Sequence, residues 1–164
     1  MSNPKILPEC YGDTVLVESL GYKKPNHQTS GVGQVIRIMD EKFKNSIAVG
    51  VIDKDKKMTA KYYQEFTEIE TKNGIAKMKH PDKKHFFITH APLEAFLIQA
   101  ADDVDVDITR YGFKDVKSLM KITKSINIGQ HQRFKDFLNT LNQKNTPSFV
   151  TMKLWLQEIV GESY

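Results

Sequence analysis

Residues 46–52 read Ser-Ile-Ala-Val-Gly-Val-Ile, and the acidic pair of Asp53-Lys54-Asp55 follows directly. The run is apolar at consecutive positions rather than at alternate ones. This pattern is typical of a strand in a parallel sheet, because helices cover both faces of such a sheet. The stretch therefore predicts a central buried strand that ends in two carboxylates.

The chain before this strand shows one more extended segment and two helical patterns. Residues 5–7, Lys-Ile-Leu, form a short extended run, residues 12–20 carry a rough apolar face, and residues 31–43 place apolar side chains at i, i+3 and i+4 spacing. The order strand, helix, helix, strand predicts an α/β fold with a mainly parallel sheet flanked by helices.

The chain after the central strand predicts a hairpin, another strand and a helix. Asn73-Gly74 is a strong two-residue turn signal, and it separates the extended segments 66–70 and 75–78. Residues 86–89 predict a further strand. Pro92 then opens a helix, since proline is favoured at the start of helices.

The last third of the sequence is helical in pattern. Helices are predicted at about 113–125, 130–143 and 148–160. We therefore expect an α/β domain over residues 1–110 and a helical C-terminal extension over residues 111–164, packed on the same domain.

Composition limits the class of protein. The 164 residues are 40% hydrophobic and 27% charged, as in an ordinary globular protein, and the net charge of +4 permits contact with phosphates without requiring it. No apolar run approaches the roughly 20 residues that span a membrane. The single cysteine, Cys10, excludes an internal disulfide. With no secretory pattern at the N-terminus, these features predict a cytoplasmic protein without a membrane partner.

The acidic residues at the predicted strand ends are the candidate metal ligands. Asp53 and Asp55 are two apart, so in extended chain their side chains point to the same side. Glu9 also follows a short strand, and a parallel arrangement places it at the same edge of the sheet. Carboxylates held close together suit Mg²⁺ or Mn²⁺. The alternative is that the Asp-x-Asp sequence forms only a turn and a helix cap.

These segments resemble a known family. Glu9-Cys10-Tyr11-Gly12-Asp13 after a strand, followed by residues 49–55, Val-Gly-Val-Ile-Asp-Lys-Asp, is similar to the signature of the Toprim domain. That domain occurs in topoisomerases, bacterial primases and nucleases of the overcoming-lysogenization-defect group. The resemblance covers about residues 5–100 and implies a Rossmann-like sheet.

The resemblance also implies roles for individual residues. Asp53 and Asp55 would hold Mg²⁺, and Glu9 would bind the metal or act in acid–base chemistry during phosphoryl transfer. The segment 89–97 is similar to a helix start in standalone Toprim proteins of bacterial defence systems, which makes Glu94 a further candidate metal ligand. Two departures are that Cys10 stands where the family usually has glycine and that Pro8 lies in the first strand.

Residues next to these carboxylates are candidates for contact with phosphate. Lys54, Lys56 and Lys57 carry positive charge beside the predicted site, and Asp13 shares the motif of Glu9. Asp13 is also a candidate cap of its helix. His90 follows the predicted strand 86–89, and it is either a polar loop residue or part of the site.

Two functions follow from these expectations. The first is a metal-dependent nuclease or phosphotransferase that acts on nucleic acid or nucleotide phosphates, with Glu9, Asp53 and Asp55 as the catalytic residues. The second is a non-catalytic module that binds nucleic acid or a protein, with the C-terminal helices as the partner surface. In that case the acidic residues hold a structural metal or have no function.

Overall fold

The computed structural model describes residues 2–27, 31–54 and 60–161. Its strands are β1 (Ser2–Asn3), β2 (Ile6–Pro8), β3 (Lys23–Pro25), β4 (Ala48–Asp53), β5 (Thr67–Lys72), β6 (Ile75–Lys79) and β7 (His85–His90). Its helices are α1 (Tyr11–Ser19), α2 (Val32–Lys42), α3 (Lys61–Gln64), α4 (Leu93–Asp102), α5 (Val116–Thr123), α6 (Gln132–Gln143) and α7 (Pro147–Val160). The predicted α/β fold with C-terminal helices is therefore confirmed.

The main sheet has five strands in the order β2-β4-β7-β6-β5. Strand β4 pairs in parallel with β2 and β7, whereas β6 pairs antiparallel with β7 and β5. The sheet is thus mixed rather than mainly parallel. The reason is the predicted hairpin: Asn73 and Gly74 have positive φ angles of 52° and 80°, as the Asn-Gly turn requires, and the turn sends the chain straight back.

A second small sheet joins β1 and β3 in parallel. The polar residues after Tyr22 show no strand pattern, but Tyr22 is fully buried and β3 follows it. The composition of this segment does not predict a strand, because the lysines of β3 remain exposed and only its backbone pairs with β1.

Strand β4 lies between two apolar layers, as its sequence predicts. Val49 and Val51 belong to the core under α1 and α4 to α7, whereas Ala48 and Ile52 belong to the core under α2 and α3. Gly50 is needed for this packing, since a Cβ atom there would lie 2.7 Å from the Phe87 ring. The buried strand fixes Asp53 at the carboxyl edge of the sheet.

Candidate metal centre

Three parallel strands bring their carboxyl ends together at one edge of the sheet. Glu9 follows β2, Asp53 ends β4 and His90 ends β7, where Asp53 and His90 are direct neighbours in the strand register. The Asp53 backbone N–H donates to Glu9 Oε2 over 2.8 Å, and the Glu9 N–H donates to the Val51 carbonyl over 3.0 Å. The structure therefore brings Glu9 and Asp53 together, as the parallel arrangement predicts.

Helix α1 supplies a further carboxylate, that of Asp13, at this edge. Cys10 is its N-cap residue, and the cysteine Sγ accepts from the Asp13 N–H over 3.4 Å. The expectation that Asp13 caps this helix is therefore wrong, because Asp13 lies inside the first turn. Its side chain is fully buried and points at His90. A buried anion has no exposed oxygen for a phosphate, so the structure makes Asp13 a partner of His90.

His90 is the centre of this arrangement. Its Nε2 lies 2.7 Å from Asp13 Oδ1, and its Nδ1 lies 2.6 Å from the carbonyl oxygen of Ala91 and 3.4 Å from Asp53 Oδ1. Carbonyl and carboxylate oxygens accept hydrogen bonds, so both ring nitrogens must donate. The geometry therefore favours a doubly protonated, positively charged imidazole.

The electrostatics agree with this protonation. Burial opposes the charge on His90, but the Asp13 and Asp53 carboxylates outweigh burial and raise the pKa of His90 to about 9. The pKa of Asp53 is raised to about 7, mainly by burial; His90 lowers this pKa, and the Asp13, Glu9 and Glu94 carboxyls raise it. Asp53 thus lies in an acidic environment that a single imidazolium does not balance.

Glu94 completes the group that we call the acidic site, which consists of Glu9, Asp13, Asp53, His90 and Glu94. Glu94 lies in the first turn of α4, is half-buried, and is close enough to Asp53 to raise the pKa of that carboxyl. The sequence position of Glu94 after Pro92 thus places it beside Asp53, although its predicted role as a metal ligand stays a prediction.

Some of the predicted residues make no contribution that can be described. Asp55, Lys56 and Lys57 lie outside the described residues. Lys54 extends the pairing of β4, since its backbone N–H donates to the His90 carbonyl over 2.6 Å. Lys54 is itself exposed. Lys54 therefore provides a positive charge at the edge of the acidic site.

The donor atoms of the acidic site fit a hard divalent cation. Asp13, Asp53 and His90 each offer an atom, and these atoms lie within 4.8 Å of one another. Asp53 Oδ1 is buried, and no donor in the described part of the chain forms a hydrogen bond with it. Within this group both His90 nitrogens face acceptors, so the carboxylate oxygens of Asp13 and Asp53 are the atoms that suit a hard cation. The roles of Glu9 and Glu94 as ligands stay predictions.

Sequence reasoning gave too little weight to Asp13 and His90. His90 follows a predicted strand, as Asp53 does, and this shared position at a carboxyl edge is the signal that could have found it. No comparable signal exists for Asp13, because its burial depends on how α1 packs beneath the strand ends.

No protein-family model, curated protein or solved structure matches this chain. Among the helices of the described residues, none is both long enough and apolar enough to cross a membrane. The function must therefore be argued from the acidic site itself.

Proposed function

We propose that this protein is a Toprim-like, Mg²⁺- or Mn²⁺-dependent phosphoryl-transfer protein that acts on nucleic acid or nucleotide phosphates. The observation that carries the proposal is the buried Asp53 Oδ1, which forms no hydrogen bond with a donor in the described part of the chain. It lies 3.4 Å from His90 Nδ1, but the Asp13, Glu9 and Glu94 carboxyls act against that one positive charge. A cation at this point relieves their repulsion, and carboxylate oxygens are the ligands that Mg²⁺ prefers.

Each residue of the acidic site has a distinct part in this proposal. Glu9, Asp53 and Glu94 would hold the ion, and the resemblance of the sequence to the Toprim signature adds Asp55 as a ligand. When bound, the ion would neutralise charge on the phosphoryl oxygens. His90, held by Asp13, orients the Asp53 carboxylate and limits the net negative charge that an incoming phosphate meets.

The direct test is cleavage of labelled single- and double-stranded oligonucleotides in Mg²⁺, in Mn²⁺ and in EDTA. We expect cleavage only with metal, and a loss of about 100-fold or more in Asp53→Ala, because a metal ligand disappears. Asp82→Ala is the matched control, since Asp82 is an exposed aspartate just before the amino end of β7, and His90 lies at the carboxyl end of that strand. Equal cleavage by wild type and Asp53→Ala would exclude the catalytic role.

A second candidate is the non-catalytic binding module. Two observations favour it: His90 already compensates part of the carboxylate charge, and Val150 and Leu154, one turn apart on α7, are 47% and 49% exposed. The two functions differ in calorimetry with Mn²⁺. A non-catalytic module without a metal shows neither binding heat nor cleavage, whereas a structural metal site shows binding heat that Asp53→Ala removes, but no cleavage.

A further inference from the structure

Positive charge is concentrated in one segment of the last third of the chain. From Ile108 to Lys135 the sequence carries seven lysine or arginine residues and a single carboxylate, that of Asp115. The whole chain has a net charge of only +4, so the residues outside this segment are net negative. A segment that concentrates charge in this way is a candidate contact for a polyanion.

Helix α5 presents part of this charge on one side. Lys117, Lys121 and Lys124 are all exposed, and their i, i+4 and i+7 spacing places them on the same helix face. The other side of α5 is packed, since Leu119 is fully buried in the core. The lysine row rises by about 10 Å along the helix, a length that matches roughly three phosphates of one nucleic-acid strand.

A cleft of about 260 Å³ adds an arginine to this row. Lys121, Arg133 and Ser118 line the cleft, and its lining within the described part of the chain includes no aspartate or glutamate. The Arg133 side chain lies over Gly112, where a Cβ atom would lie 2.8 Å from Arg133 Nη1. Gly112 also has a φ angle of 86°, which favours glycine. The guanidinium is therefore held in the same cleft as Lys121.

These four cations, Lys117, Lys121, Lys124 and Arg133, form what we call the basic surface. Among the residues that the structure describes, no carboxylate forms an ion pair with any of them. The carboxylate of this segment, Asp115, caps α5 by accepting from the Ser118 N–H over 2.9 Å. Like charges at i and i+4 repel each other on a helix, so an anion that spans the lysines is favoured.

The carboxyl end of α5 packs against the first turn of α1. Gly12 lies in that turn, and a Cβ atom there would overlap the Leu93 side chain and lie 3.3 Å from the Thr123 carbonyl oxygen. Thr123 is the last residue of α5, and Lys124 follows it as the C-cap. Helix α5 thus joins the basic surface to the turn that carries Asp13 of the acidic site.

We propose that the basic surface binds the phosphate backbone of a nucleic-acid strand. The proposal rests on the proposed function and narrows its substrate class to a polymer rather than a single nucleotide, because a row of cations about 10 Å long contacts several phosphates at once. An anionic membrane suits the surface less well. A helix that lies on a membrane turns its apolar face toward the lipid, whereas α5 buries Leu119 in the core.

The test measures binding of a fluorescein-labelled oligothymidylate of about 20 nucleotides to the full chain, by anisotropy in EDTA and between about 50 and 200 mM KCl. The double variant Lys117→Gln, Lys121→Gln should raise the Kd about tenfold at the lower salt concentration. It should also reduce the slope of log affinity against log salt by about 1.4, since each phosphate contact on a single strand contributes about 0.7. Arg133→Gln should reduce the slope by about 0.7.

The matched control is the double variant Lys42→Gln, Lys44→Gln, which removes the same charge from exposed positions. Lys42 ends α2, and the buried residues of α2 and α5 belong to the cores on opposite faces of the sheet. This variant should therefore change the Kd by less than about twofold. Equal affinity of wild type and Lys117→Gln, Lys121→Gln, or an equal loss in the control, would overturn the proposal.

Two further outcomes separate this proposal from its alternatives. Binding of phosphatidylserine vesicles that requires Lys117 and Lys121, without binding of the oligothymidylate, would overturn it in favour of a membrane surface. Because EDTA removes metal, the binding result is independent of cleavage. Lysine-dependent binding without cleavage in Mg²⁺ would support the basic surface and exclude the catalytic role. Cleavage of a mononucleotide without binding of the oligothymidylate would overturn the basic surface and leave the proposed function standing.

Discussion

Strand β7 has a buried histidine at each end, and the two are in opposite states. At the amino end, His85 Nε2 donates to the Phe43 carbonyl over 2.6 Å, and Nδ1 accepts from the Tyr62 hydroxyl over 2.5 Å. Burial lowers the pKa of His85, so the ring is neutral. At the carboxyl end, both ring nitrogens of His90 face acceptors, and the pKa of His90 is raised to about 9 despite complete burial.

The comparison shows that partners from other elements, not the strand, decide the charge of a buried histidine. Tyr62 offers a proton to His85, whereas Asp13 can only accept one from His90. The His85 ring at the amino end of β7 is therefore a neutral, packed group. The carboxyl end concentrates charge, as expected of an edge where α/β proteins bind their ligands.

The largest expected effect is the loss of the Asp13 carboxylate. Asp13→Ala removes the main counter-ion of a fully buried imidazolium, so we expect the free energy of unfolding to fall by about 3–5 kcal/mol. Urea unfolding at pH 7 measures this change. Asp82→Ala, at an exposed position, should change it by less than about 0.5 kcal/mol. Equal effects of the two variants would contradict the charged state of His90.

The next largest effect is an opposite pH dependence of the stability contributions of the two histidines at the ends of β7. The pKa of His90 is raised from 6.5 to about 9, so its contribution to stability is complete below pH 6.5 and is lost as the pH rises through 9. The pKa of His85 is lowered from 6.5, so its contribution is present above pH 6.5 and is lost as the pH falls. We expect NMR in EDTA to show His90 protonated and His85 neutral at pH 7. The same charge state for both rings would contradict the comparison.

A smaller effect is expected from the hydroxyl that pairs with His85. Tyr62→Phe leaves His85 Nδ1 buried without a donor, so we expect a loss of about 1 kcal/mol in the free energy of unfolding. Tyr63→Phe is the control, since the Tyr63 hydroxyl donates to the Met78 sulfur, a weak acceptor. Thermal or urea unfolding compares the two, and a larger loss in Tyr63→Phe would refute the assigned hydrogen bond.

The smallest effect concerns Asp53 itself. Glu9 raises the pKa of Asp53 more than Glu94 does, so Glu9→Gln should lower that pKa further than Glu94→Gln. Carboxyl ¹³C shifts followed over pH in EDTA give both values. A larger change in Glu94→Gln would mean that Glu94 lies closer to the Asp53 carboxyl than Glu9 does.

The sequence allowed good prediction of the elements that depend on local pattern. The apolar run before Asp53 predicted β4, and Asn73-Gly74 predicted the hairpin, because these signals act within a few residues. The meeting of Glu9 and Asp53 followed from parallel strands. The mixed direction of the sheet was not predicted, since it depends on which neighbour the hairpin joins.

The contacts inside the acidic site could not be predicted from local sequence patterns. Whether a histidine is charged depends on distant residues: His90 is 77 positions from Asp13, and the spacing of the histidines along the chain carries no information about this contact. From its sequence position Asp13 is a candidate helix cap at the surface. In the structure Cys10 is the N-cap residue instead, and Asp13 lies inside the first turn. Burial of polar groups is decided by packing between elements, which one sequence does not display.

The acidic site and helices α6 and α7 occupy different parts of the chain, so mutations in the two regions should act differently. Every member of the acidic site lies between residues 9 and 94, whereas α6 and α7 supply large buried side chains such as Phe134, Phe137 and Trp155. Substitutions of these buried side chains should therefore reduce the amount of folded protein in a cell, while the surviving molecules keep their chemistry. Substitutions of Glu9 or Glu94 should instead reduce activity more than protein level, so a genetic screen that scores protein level and activity separately would distinguish these positions from the buried positions of α6 and α7.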